Sequence, residues 1–267
     1  MRRSAPLFRT TAGRLAVEVY RDPAHAASAA ATLCLRQLRR TISARGSARI
    51  AFGGDPAPAA VFAHLILRAR AGRPLPWSAV QVVPLEEFEG LEPADPRSAA
   101  ARLHAQFPHA LPAPHFVPLP LPDPPGAAIP DEFTPLRAGE RLDLVCLEVG
   151  DQGRLGFNLP TVADFADPAT VKRVALPPGL RAAGRDDSRH LPLAPAPSHG
   201  RTLSLPVLRS AHRLVALACG ADRATLVRAV VQSPITTACP ATMLRLHPQA
   251  CLMLDLSSST LAFPSLA

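Results

Sequence analysis

The apolar run Val80 to Leu85 leads directly into Glu86-Glu87-Phe88-Glu89-Gly90. A carboxyl group at the carboxyl end of a strand is well placed to take a proton from a bound substrate when its surroundings tune its pKa. Glu86 and Glu87 are therefore the candidate catalytic bases. Taken by itself, the same cluster also reads as a solvated acidic loop. A second stretch with chemical promise is Leu142 to Pro160, LDLVCLEVGDQGRLGFNLP, where an apolar run breaks into a loop with glycines at 150, 153 and 156. A buried parallel strand has this composition, and ligands of open α/β sheets bind beyond the carboxyl ends of such strands. A third is Gly53-Gly54-Asp55-Pro56, between the run ARIAF and a helical pattern. Backbone N–H groups at a helix N-terminus favour anions, although two glycines fit a tight strand-to-helix turn equally well.

The elements that must hold these residues alternate along the chain. Residues 14 to 20 and 48 to 52 read as strands. The Ala-rich stretch from Pro23 to Arg45 and the stretch from Ala57 to Ala71, with Val61, Phe62, Leu65 and Ile66, read as helices. Asp95-Pro96 is expected to open a helix through Phe107, with Asp95 as its N-cap. Further on, a short helix (206 to 211), a strand (213 to 219), helices (221 to 231 and 240 to 246) and a last strand (250 to 254) are expected. Strands alternating with helices predict an α/β fold: a Rossmann-like, mostly parallel sheet with helices on both faces. The expected organisation is one domain over residues 1–267, with a proline-rich connector at 108–135.

Composition narrows the function classes. Of 267 residues 48% are hydrophobic, enough for a substantial core, and no run of 18 or more apolar residues escapes interruption by charge or proline. The N-terminus lacks the apolar stretch of a signal peptide, so a cytoplasmic protein without a membrane partner is expected. The net charge of +8 is almost entirely arginine and is scattered, and aromatic residues make up only 4%. No stacking platform accompanies a basic stripe, so no nucleic-acid partner is expected. Cys34, Cys146, Cys219, Cys239 and Cys251 are widely spaced without a C-x-x-C pair. They read as reduced thiols, not as metal ligands or disulfides, and no metal or other cofactor is expected.

Several of these segments together resemble the glucosamine/galactosamine-6-phosphate isomerase (deaminase) family, which is related to 6-phosphogluconolactonase. PITTACPATMLRLHP at 234 to 248, followed by a strand ending at Asp255, resembles the family's C-terminal pattern. GLEPADPRS at 90 to 98 resembles the segment after its acidic strand end, and VGDQGRLGFNLP at 149 to 160 resembles its Gly-Asn-x-Gly-His-(hydrophobic)-x-Phe-Asn-Glu-Pro loop. The resemblance runs through roughly residues 12 to 257 and implies a phosphorylated sugar or amino sugar as ligand. Whether the chain acts alone or as a homo-oligomer stays open.

Carried over position by position, the resemblance implies phosphate binding by Gly53, Gly54 and Arg223. It implies a proton-abstracting base at Glu86 or Glu87, and ligand contacts from the loop positions Gly150, Arg154 and Asn158. The departures matter as much. The turn's hydroxyl residue is Asp55, an anion facing an anion. The family's Asp-Gly-His is Gln152-Gly153-Arg154, and the glutamate before the last proline is Leu159. Arginine does not give up its proton at neutral pH, so Arg154 cannot serve as the ring-opening acid/base. General acid/base groups are each worth about 10²–10⁴-fold. Impaired or altered catalysis is therefore expected, with a non-catalytic sugar-phosphate sensor or partner subunit and a 6-phosphogluconolactonase-like hydrolase as the alternatives.

Overall fold

The computed structural model describes residues 5–70, 74–92, 94–108, 112–120, 140–183 and 197–266. Most of the expected connector at 108–135, and His190 with its neighbours, lie outside the described residues. The hairpin of β1 (Phe8–Ala12) and β2 (Leu15–Tyr20) leads to α1 (Pro23–Arg45), β3 (Ala48–Phe52), α2 (Pro56–Ala69), β4 (Val80–Pro84) and β5 (Glu86–Phe88). Then come α3 (Ala99–Ala105), β6 (His115–Phe116), β7 (Leu144–Glu148), β8 (Val171–Ala175), α4 (Pro178–Ala183) and β9 (His199–Leu203). The chain continues through α5 (Leu205–Ser210), β10 (Leu214–Ala218), α6 (Ala224–Gln232) and β11 (Ala250–Asp255).

The main sheet has the order β1-β2-β11-β10-β7-β3-β4-β6, and every pairing in it except β1 with β2 is parallel. From β3 the chain winds outward through β4 to β6; from β7 it winds the other way through β10 to β11. The direction of winding therefore reverses between β3 and β7, and the crevice beyond their carboxyl ends is where an open α/β sheet places a ligand. All of β10 and four of the five residues of β7 are buried, as strands covered on both faces must be.

One apolar layer lies on each side of the sheet. On one side α1 buries Ala26, Ala30, Cys34 and Leu38, spaced four apart, together with Ala27, Ala31 and Leu35. That spacing places them along one stripe, and the small alanines let the helix approach the strands closely. Asp22 accepts from the His25 N–H at 2.9 Å to start the helix, and Gly46, at φ 81°, ends it in the left-handed region.

Several sequence expectations need correction. The helix after the acidic strand begins at Ala99, not at Asp95. Asp95 spends its carboxylate on Arg97, whereas Ser98 Oγ accepts from the Ala101 N–H at 3.1 Å and is the true N-cap. Pro240–Leu246 is a 3-10 helix, and Ala221–Arg223 is a 3-10 turn leading into α6. The largest surprise is a second sheet of order β5-β9-β8, antiparallel throughout. Glu86 to Phe88 is one of its edge strands, and all three residues are buried, so the reading of these acids as a solvated loop is wrong.

Candidate functional site

Three strand ends meet at the point where the winding reverses. β3 delivers Gly53 and Gly54, β4 runs through Leu85 into Glu86, and β7 delivers the loop from Gly150 onward. Backbone bonds stitch these ends together: the Gly53 N–H donates to Cys146 O at 2.9 Å, and the Leu85 N–H to Phe52 O at 2.8 Å. The loop folds back over the acids because Gly156, at φ 59°, carries no side chain. A β-carbon there would lie 2.3 Å from Leu85 Cδ2 and 3.1 Å from Glu86 Oε2.

Beneath this junction lies a cavity of about 270 Å³. Glu86, Asp55, Arg154 and Arg102 form its polar side, and Phe88, Phe157 and Leu180 its apolar side. Glu86 is 5% exposed. Its Oε1 accepts from the Gly54 N–H at 2.5 Å, while Oε2 is buried with no partner among the described residues. Burial, reinforced by the neighbouring Asp55 carboxylate, raises its pKa from 4.5 to about 8 against the opposing pull of Gly54, Arg154 and Arg102. A carboxyl group so tuned holds its proton near neutrality and can both give and take one.

Glu87, the neighbouring candidate, is used differently. Its Oε1 accepts from the N–H groups of Phe88 (2.9 Å) and Ala99 (3.1 Å). Its Oε2 accepts from Ser98 Oγ (2.7 Å) and the Ala100 N–H (3.0 Å). Both oxygens thus satisfy the first turn of α3, where a negative charge is also favoured by the helix dipole.

Arg154 turns inward. Its two terminal nitrogens bind the two oxygens of Asp55 at 3.2 and 3.1 Å, and Nη1 also donates to Gly156 O at 3.0 Å. The side chain crosses the face of Gly150, where a β-carbon would lie 2.4 Å from Arg154 Nε. The anion expected to repel a ligand, Asp55, is therefore neutralised by the arginine that replaces the expected histidine. Asn158 is fully buried, and its Nδ2 donates to Leu155 O (2.9 Å) and Leu203 O (2.8 Å), tying the loop to β9. Arg223 is held by Asp151 and Asp222. Gly150, Asn158 and Arg223 do not line the cavity.

A model of the family described as glucosamine-6-phosphate isomerases/6-phosphogluconolactonase matches residues 21–155. The chain belongs to this family. It is 28% identical over 236 residues to a glucosamine-6-phosphate deaminase of Hahella chejuensis, covering 87% of each chain. It is 30% identical over 213 residues to one from Pseudarthrobacter chlorophenolicus, covering 77% of each. Among solved structures, a monomeric glucosamine-6-phosphate deaminase superposes with a TM-score of 0.75 at 21% identity, over 92% of this chain and 99% of the other. A 6-phosphogluconolactonase from Shewanella baltica gives 0.62 at 17%, over 90% and 96%. At such identities the structural likeness establishes the fold: a Rossmann-like α/β sheet.

Against the family pattern, the position of the loop glutamate is filled by Leu159, which packs with Phe88 and Phe157 in a small apolar cluster. Two charged groups of this region, of which only the second lines the cavity, are not evident in the sequence. Glu148, at the end of β7, accepts from the Ala57 N–H at 3.2 Å, and its pKa is raised by burial and by Asp55. Arg102 reaches the cavity from α3. Its signal lay in the helix phase: Ala99 and Arg102, three apart, share a face.

Proposed function

We propose that the cavity binds a phosphorylated sugar or amino sugar, and that Glu86 is the base acting on it in an isomerase/deaminase reaction slower or different in scope from the family's ordinary one. The observation that carries this reading is the buried Oε2 of Glu86, unpartnered among the described residues, on a side chain that lines a partly open cavity of mixed polar and apolar groups. For an amino-sugar phosphate, the carboxylate takes the proton from C2 of the open-chain ligand, and the resulting acid returns it to C1. Loss of the amine to water then leaves a ketose phosphate and ammonia. The apolar groups of Phe88, Phe157 and Leu180 lower the polarity of the space in which these steps run.

Ring opening is the step left without help. Arg154 stays protonated, with its fork committed to Asp55, and Leu159 has nothing to ionise. The same two observations favour a second reading, a non-catalytic sugar-phosphate binder. Ammonia release from glucosamine 6-phosphate at high protein concentration separates the two. Slow turnover that rises with pH through about 8, as Glu86 ionises, and disappears in Glu86→Gln supports the enzyme. Ligand-dependent thermal stabilisation with no turnover supports the binder. Turnover unaffected by Glu86→Gln removes Glu86 from the mechanism, and hydrolysis of 6-phosphogluconolactone above the spontaneous rate would favour lactonase chemistry instead.

A further inference from the structure

The first turn of α2 looks like an anion cradle in sequence, yet it offers little to an anion. Pro56 and Pro58 carry no N–H. The Gly54 N–H is held by Glu86, and the Ala57 N–H by Glu148. Of the five residues from Gly54 to Pro58, only Asp55 keeps an N–H outside these constraints. Three carboxyl groups, those of Asp55, Glu86 and Glu148, crowd the turn; Asp55 helps to raise the pKa of the other two. Two nearby arginines are already engaged, Arg154 by Asp55 and Arg223 by Asp151 and Asp222.

Arg102 is in the opposite condition. It lines the cavity, its side chain makes no hydrogen bond or ion pair with any described residue, and it buries an Nε that has no partner. Glu86 is near enough to feel its charge but forms no ion pair with it. A partly buried guanidinium that no carboxylate grips gains from an anion that reaches it, and its planar fork matches a phosphate. Gly54 makes the space for it: a β-carbon there would lie 2.7 Å from Ala99 Cβ and 2.9 Å from Arg102 Nη2. The second glycine of the turn is thereby explained by side-chain packing, with no phosphate needed.

We propose that Arg102 is the anion-binding residue of this site, taking the ligand's phosphate inside the cavity beside Gly54 in place of the first turn of α2. The inference rests on the sugar-phosphate reading above and adds to it a residue and a location. It makes Arg102 the determinant of preference for phosphorylated over unphosphorylated sugars.

Isothermal titration calorimetry on the full chain, with glucosamine 6-phosphate, glucosamine and inorganic phosphate as probes, tests it. Truncating one partner of a desolvated charge pair weakens binding by at least about thirtyfold. Arg102→Ala is expected to lose that much affinity for glucosamine 6-phosphate, and Arg102→Lys to lose less. Arg223→Ala is expected to change it by less than about threefold, in keeping with an exposed pair. Should the alanine variant fail to fold, Arg102→Gln keeps most of the side-chain stem and carries the same expectation. Wild-type affinity in Arg102→Ala with loss in Arg223→Ala would place the phosphate at the turn and overturn the inference while leaving the sugar-phosphate reading intact. Absence of binding by any hexose phosphate to the wild-type chain would overturn both.

Discussion

At the scale of single residues, the site is governed by Glu86 and by the pairing of Asp55 with Arg154. A carboxyl group whose pKa rises on folding from 4.5 to about 8 binds its proton more tightly in the native state. Its contribution therefore makes stability fall as pH climbs through that window and level off above it. Glu86→Gln removes this slope, and urea denaturation should show the variant more stable than wild type at pH 8 by on the order of a few kcal/mol and nearly equal at pH 4. The opposite ordering at pH 8 would mean that Glu86 is stabilised as a carboxylate. Asp55 and Arg154, two departures from the family pattern 99 residues apart, compensate each other. Arg154→Ala should destabilise the fold, and Asp55→Asn in the same chain should restore part of the loss. A double-mutant cycle is expected to give a coupling of about 1–3 kcal/mol, and additive effects would deny the pairing. The acids at 86 and 87 were legible in the sequence as strand-end carboxylates. Their difference was not, because it depends on donors from α3 that reach Glu87 and leave one oxygen of Glu86 alone.

At the scale of elements, β5 and α3 form one device. β5 leaves the main sheet after Leu85 to pair with β9, and this turns Glu87 toward the first turn of α3. Removing that carboxylate orphans three N–H groups, those of Phe88, Ala99 and Ala100, and the Ser98 hydroxyl, so Glu87→Ala should lower stability by about 2–4 kcal/mol. Glu87→Ala should leave the pH dependence of any turnover where Glu86 sets it. A shifted pH profile would instead give Glu87 a share in proton transfer. The helix start was misread at Asp95 because an Asp-Pro pair carries a strong N-terminal signal. The competing Ser98 won by having both its own side-chain bond to Ala101 and the Glu87 carboxylate beneath it. The lengths of α1, β3 and β4 were readable because their apolar residues repeat with a clean period.

At the scale of the whole molecule, the loop from Gly150 to Pro160 joins the two sheets. It begins at the end of β7 and is fastened to β9 by Asn158 and by the Phe157 N–H, which donates to Thr202 Oγ1 at 3.3 Å. Gly156 sets how closely the sheets approach, since a side chain there would strike both Leu85 and Thr202. Gly156→Ala should therefore destabilise the protein by about 2–4 kcal/mol through backbone strain and overpacking. It should also weaken hexose-phosphate binding; thermal unfolding and calorimetry measure the two effects, and a wild-type melting temperature would show that the junction is loose. The sequence by itself determined a mostly parallel sheet with covering helices, though neither β1 nor β6, together with the family and the acidic, glycine-rich and loop segments that meet at the site. Those features follow from local periodicity and from motifs contiguous in the chain. Only the tertiary structure decided that β5 belongs to a second sheet, that Asp55 is answered by Arg154, and that the Arg102 side chain lines the cavity without an ion-pair partner among the described residues. Each of these depends on which groups from distant segments share one desolvated space, where an unmatched charge matters most.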